Sequence, residues 1–163
     1  MRRLAVAAFV AVVVGLAGAG ATFAGADHGH GQRGLTFFST ENALALLPVV
    51  AGKFSLGDRV VFSDDLFTAK GGTHVGTDGG ECTVVRVTDA ATGSGVLQCL
   101  VTFSLPGGQI TTQALNTLTN GAFAGAQTGA ITGGTDKYRD AGGQFTVEFL
   151  SGGEANLTFF LDD

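Results

Sequence analysis

From residue 35 onward short apolar runs alternate with turn signals, and the chain shows almost no helical spacing of apolar positions. LTFF (35–38), GDRVVFSDDLF (57–67), THVG (73–76) and ECTVVRV (81–87) read as strands, the last two separated by a TDGG turn. VLQCLVTFSL (96–105) meets QITTQAL (109–115) across Pro106-Gly107-Gly108, where proline at the second position and glycine at the third suit a type II turn. AGAQTGAIT (124–132) follows, and QFTVEFL (144–150) meets EANLTFFL (154–161) across Ser151-Gly152-Gly153. ALALLPVV (43–50) fits either a helical turn or an extended connection, and Pro48 argues against a long helix there. About eight short antiparallel strands, most of them joined by hairpins, must close into a barrel or pack as a sandwich to hide their edges.

Alternation says which side chains share a face. Cys82, Val84 and Arg86 lie opposite Thr83, Val85 and Val87, and Leu97, Cys99, Val101, Phe103 and Leu105 form an apolar face opposite Val96, Gln98, Leu100, Thr102 and Ser104. Several strands are apolar on both faces, so a second sheet, a cavity or a neighbouring subunit must cover the outer one.

The N-terminus differs in kind. Arg2 and Arg3 precede an apolar run over residues 4 to about 19, and Ala24-Gly25-Ala26 supplies an A-x-A site, which predicts a secretory signal peptide over 1–26 cleaved before Asp27. The run is rich in small residues and short for a bilayer core of about 30 Å, which disfavours a retained membrane anchor. Residues 27–34, DHGHGQRG, read as a flexible tail; His28 and His30 flank a glycine, but neither sits where an amino-terminal copper clamp needs it, so no metal site is assigned. The remaining 35–163 is one domain, destined for the extracellular space and free of the membrane once the signal is removed.

Composition and charge narrow the function. Without 1–26 the chain keeps all fourteen acids but only seven of its nine Lys and Arg, a net charge of −7, which excludes nucleic acid and anionic lipid as natural partners. Val, Thr, Phe and Gly dominate, the composition of an all-β protein with tight turns. Cys82 and Cys99 are the only cysteines, and a hairpin centred near Ala90-Ala91 places them opposite each other, so export favours a disulfide over a reactive thiol, which has no histidine nearby in sequence. No G-x-S-x-G, H-E-x-x-H or phosphate-cradling lysine loop is present, and His74, between Thr73 and Val75, reads as a surface residue.

Four stretches in order, SLGDRVVFSDDLF (55–67), VGTDGGEC (75–82), GGQITTQ (107–113) and AITGGTDKYRDAGGQF (130–145), are similar to allene oxide cyclase, the founder of a barrel superfamily that includes plant dirigent proteins and some bacterial polyketide cyclases. The resemblance spans roughly 55–146 and implies an eight-stranded antiparallel β-barrel with a hydrophobic cavity, often assembled as a homotrimer. It makes Gly133-Gly134 a sharp bend out of one strand, 136–140 a short helical turn and Gly142-Gly143 the re-entry into the next strand, with Tyr138 and Arg139 pinning that turn to the barrel end.

In such proteins an apolar cavity folds a flexible substrate while a few polar groups and a bound water handle developing charge, and no cofactor is needed. Residue by residue, the family's water-holding amide falls on Asp64, its cavity cysteine on Cys82 and its cavity tyrosine on Asn116. For the glutamate of the family's first strand the nearest acid is Glu41, out of register, and Pro48 is a distant counterpart of the water-holding proline. These departures separate the site from that of the plant enzyme. The resulting expectation is a secreted isomerase, an intramolecular cyclase of a small lipophilic substrate. In it Asp64 orients water or a substrate oxygen, Asn116 donates a hydrogen bond, and Phe62, Phe103 and Cys82 line the cavity. The alternatives are a dirigent-like barrel that binds a hydrophobic small molecule without chemistry, and a stable exported domain whose oligomer surface matters more than its interior; for Asp64 and Asp65 the plain alternative is a solvated strand end and turn.

Overall fold

The computed structural model describes residues 33–123 and 125–162. The expected signal peptide and the tail histidines His28 and His30 lie outside the described residues. The strands are β1 (Arg33–Leu47), β2 (Arg59–Phe67), β3 (His74–Asp89), β4 (Ser94–Leu105), β5 (Gly108–Thr119), β6 (Ala122–Phe123), β7 (Ala126–Gly134), β8 (Gly143–Phe149) and β9 (Glu154–Leu161). Every pairing is antiparallel, and β1 pairs with both β2 and β9 while β4 pairs with β5, so eight strands close on themselves. The ninth, β6, is a two-residue flap folded onto the end of β5 across Asn120 and Gly121, both with positive φ. Closure removes the sheet edges that the expected pattern of short strands left to be hidden.

Three segments differ from their sequence reading. The strand expected at Leu35 begins at Arg33, paired with Leu161, and runs on to Leu47, so 43–47 is extended. Its second half is held by β2, with Leu44 opposite Phe62 and Leu46 opposite Val60, after a bulge at Asn42. The TDGG turn does not exist: 77–80 lies mid-strand in β3, paired on one side with β2 and on the other with β4. Glycine there serves close approach rather than reversal. A Cβ on Gly80 would sit 2.8 Å from the Leu100 carbonyl oxygen and 2.8 Å from the Phe62 ring. Finally, β7 continues through Gly133-Gly134, so the bend comes later, at Thr135, and only then does the 3₁₀ turn Asp136–Tyr138 begin.

That turn closes one end of the barrel. Tyr138 is buried in the main core with Leu66, Ile110, Phe145 and Phe159, whereas the Arg139 side chain is exposed and among the described residues pairs only with its neighbour Asp140. Of the two residues expected to pin the turn, therefore, Tyr138 does so and Arg139 does not. Phe159, with no exposed surface, stands edge-on to Phe103 at 4.9 Å and to Phe37 at 5.9 Å between ring centres. The expected type II turn is present, with Leu105 opposite Gly108 and Gly107 at φ 96°.

Candidate active site

Period-two alternation turns one side chain in two into the barrel, and above the aromatic floor those side chains are too small to fill it. Val84 and Cys82 on β3, Cys99 and Val101 on β4, Ala114 on β5 and Ala155 on β9 enclose a cavity of about 640 Å³. It opens toward Leu44, Leu46 and Leu47 of β1 and Phe149 of β8, all of which keep substantial exposure. β9 pairs with β1 only as far as Thr40, so among the described residues no strand flanks 43–47 on that side.

Near the floor, three acids line the cavity side by side. Glu41 on β1 is directly opposite Asp64 on β2, and Asp64 is directly opposite Asp78 on β3. The Asp64 backbone N–H donates to Asp78 Oδ1 at 3.2 Å. Burial raises the Asp64 carboxyl from its ordinary value to about 6; the charges of Glu41 and Asp65 push the same way, and a hydrogen bond from Ser39 opposes them. Asp78, only 7% exposed, is raised to about 7, mainly by burial and then by the Asp64 charge, against the backbone hydrogen bond. Ser39 and Thr112, both buried, complete the polar part of the wall, the Thr112 hydroxyl donating to the Val101 carbonyl at 3.4 Å.

The residues singled out from sequence come together here. Asp64, Asn116, Phe62, Phe103 and Cys82 all line the one cavity. Phe103 is buried where wall meets floor, and the Phe62 ring lies over Gly80. Cys82 and Cys99 are bonded to each other, as their opposed positions on β3 and β4 required, so Cys82 presents a disulfide sulfur and no thiol. Asn116, expected as a donor, instead spends its amide N–H on Cys99 Sγ at 3.4 Å, and its Oδ1 is buried without a partner among the described residues. A disulfide sulfur has no proton to give, so the orientation that uses it leaves the amide oxygen unpaired within the wall.

Two further expectations about acids resolve. Asp64 is no solvated strand end but a half-buried residue within β2, whereas Asp65, on the other face, meets Asn42 at 3.0 Å and His74 at 3.4 Å. His74 is half exposed on the outside, as a surface residue should be. Glu41, out of register by resemblance, nevertheless faces Asp64, because the bulge at Asn42 comes after it. Asp78 and Ser39 were missed. Counting back by twos from Cys82 through Gly80 reaches Asp78 on the same face, but the two glycines beside it read as a turn.

The fold has solved counterparts. A pyocyanin demethylase superposes with a TM-score of 0.67 at 28% identity, over 78% of this chain and 99% of that one. A pterocarpan synthase dirigent protein gives 0.60 at 20% identity over 80% and 82% of the two chains. A Diels-Alderase from Streptomyces koyangensis gives 0.60 at 11% identity over 83% and 71%. No curated protein matches the chain by sequence. The allene oxide cyclase barrel like domain matches residues 38–158, most of the chain and every strand that closes the barrel, and the protein belongs to that family.

Proposed function

We propose that this protein is a secreted isomerase that cyclises or rearranges a small lipophilic substrate without a cofactor, using the carboxyl pair Asp64 and Asp78. The observation that carries the reading is the convergence of these two acids, both raised, on one apolar cavity of about 640 Å³. Near pH 7 Asp78 retains a substantial share of its proton while Asp64 is mostly ionised, so one side chain donates where the other accepts. In an isomerisation Asp64 takes a proton from one substrate atom and Asp78 gives its own to another. The substrate keeps its composition, and a proton passing from Asp64 to Asp78 resets the site. Phe62 and Phe103 shape the space in which a flexible substrate folds, which brings its reacting ends together. The disulfide suits an oxidising, extracellular setting, and among the described residues no helix is long and apolar enough to cross a membrane. Homo-oligomerisation would use the outer face of β2 to β5, where Val61, Leu100 and Leu115 stay exposed.

A non-catalytic, dirigent-like barrel is the second reading, favoured by the wide apolar mouth at Leu44 and Leu46. One experiment separates them. Native mass spectrometry of the purified protein identifies a co-purifying lipophilic ligand, which is then incubated with the wild type and with Asp78→Asn. Catalysis predicts an isomeric product of unchanged mass from the wild type and at least about 100-fold slower conversion by the variant. Recovery of unaltered ligand from the wild type contradicts the enzymatic reading.

A further inference from the structure

The polar groups of the cavity are unbalanced in sign. Asp64, Asp78 and Glu41 are acceptors whenever ionised. Against these stand the Ser39 hydroxyl, which donates to Asp64, the Asp64 backbone N–H, which donates to Asp78 Oδ1 at 3.2 Å, and the Thr112 hydroxyl, which is engaged by the Val101 carbonyl. No ion pair among the described residues reaches Asp64, Asp78 or Glu41; the basic residues Arg59 and Lys70 are committed to Glu81 and Glu154. Among the described residues no three acidic, histidine or cysteine side chains are grouped so as to hold a metal ion. Three acids without a counter-ion leave a deficit of positive charge that a ligand can supply.

We propose that the cavity takes a hydrophobic organic cation, such as an aromatic or alicyclic amine, with its positive group seated between Asp64 and Asp78 and its apolar body against Phe62, Phe103 and Phe145. This rests on the reading of the cavity as the ligand site and adds the substrate class. An ammonium group brings several N–H donors and a charge that favours the Asp64 carboxylate, and aromatic rings beside it add cation–π attraction.

Binding is then linked to protons. A cation is held by ionised Asp64 while Asp78 keeps the proton it donates, so affinity rises with pH through about 6. The other charged groups around the pair are Glu41 on β1, Asp65 on β2 and Glu154 on β9, the last held by Lys70; Lys53, Asp58 and Arg59 line the mouth. β4, β5 and β8 turn only uncharged side chains into the cavity.

Three probes with one apolar body test this by calorimetry on the purified protein: 1-naphthylmethylamine, 1-naphthalenemethanol and 1-naphthoate. At pH 7.5 the amine should bind about tenfold or more tighter than the alcohol, and the carboxylate most weakly. Lowering the pH to 5 should remove most of the amine's advantage and leave the alcohol unchanged. In Asp64→Asn/Asp78→Asn, checked for an intact melting transition, the alcohol should keep its affinity and the amine should lose its preference; Glu41→Gln provides a milder second variant. Equal or better binding of the alcohol by the wild type overturns the cation proposal and leaves the apolar ligand site standing. No measurable binding of any of the three overturns both.

Discussion

The two ends of this barrel are built from the same strands by the same alternation, yet one is solid and the other hollow. At the closed end Leu66, Phe103, Ile110, Phe145 and Phe159 interlock, and Tyr138 from the 3₁₀ turn seals them. At the open end the inward positions are Gly80, Cys82, Val84, Ala114 and Ala155, and the two wall strands β3 and β4 are tied by the disulfide. Side-chain volume separates the two, since the β2–β3 and β3–β4 ladders run through both ends and are interrupted only by register shifts at Leu66/Phe67, Val84/Arg86 and Val87/Asp89. A packed floor holds the walls in register; a hollow end carries buried acids that the packed end could not accommodate.

Truncation should break this symmetry of pattern most sharply. Phe159→Ala removes the centre of the floor and should cost about 3–5 kcal/mol, while Phe62→Ala, on a wall that already borders empty space, should cost only about 1 kcal/mol. Urea denaturation of both variants checks the contrast, and equal costs would mean that the hollow end is not hollow in solution. Next in size, Cys82→Ser/Cys99→Ser opens a link between residues 17 apart in sequence. It should lower stability by about 3 kcal/mol on the same assay.

The acids give the open end a pH response that the floor lacks. Asp64 and Asp78 hold their protons more tightly folded than unfolded, so their stabilising contribution is fully present below about 4 and is lost as pH rises through about 6 and about 7. The melting temperature should fall over that window by about 5 °C or more, and Asp78→Asn should flatten most of the fall. The smallest effect is expected at the seal. Arg139→Ala should change stability by less than about 0.5 kcal/mol, since its partner is an equally exposed neighbour.

What could be read from the chain follows the same division. Alternation in VLQCLVTFSL revealed the inward face of β4, and hairpin spacing paired Cys82 with Cys99, because both depend only on a period of two and local turn chemistry. The four ordered stretches carried the barrel and its cavity. The long-range pairings were harder to see. Glycines in 76–80 resemble a turn until β2 and β4 are known to press on them from both sides. Asp78 was hidden inside that misread turn, and the apposition of Glu41 to Asp64 depends on a bulge at Asn42 that no local signal announces. The cavity acids were thus half legible: Asp64 by resemblance, its neighbours only once the strands were aligned.

The central claim is that two carboxyls facing one hollow share the task of holding a proton near neutrality. Carbon-13 NMR titration of the aspartate side-chain carboxyls in the purified protein, assigned with Asp64→Asn and Asp78→Asn, reads this directly. The account expects two resonances with midpoints of about 6 and about 7, the higher lost in Asp78→Asn. Ordinary aspartate midpoints, near 4, for both would contradict it.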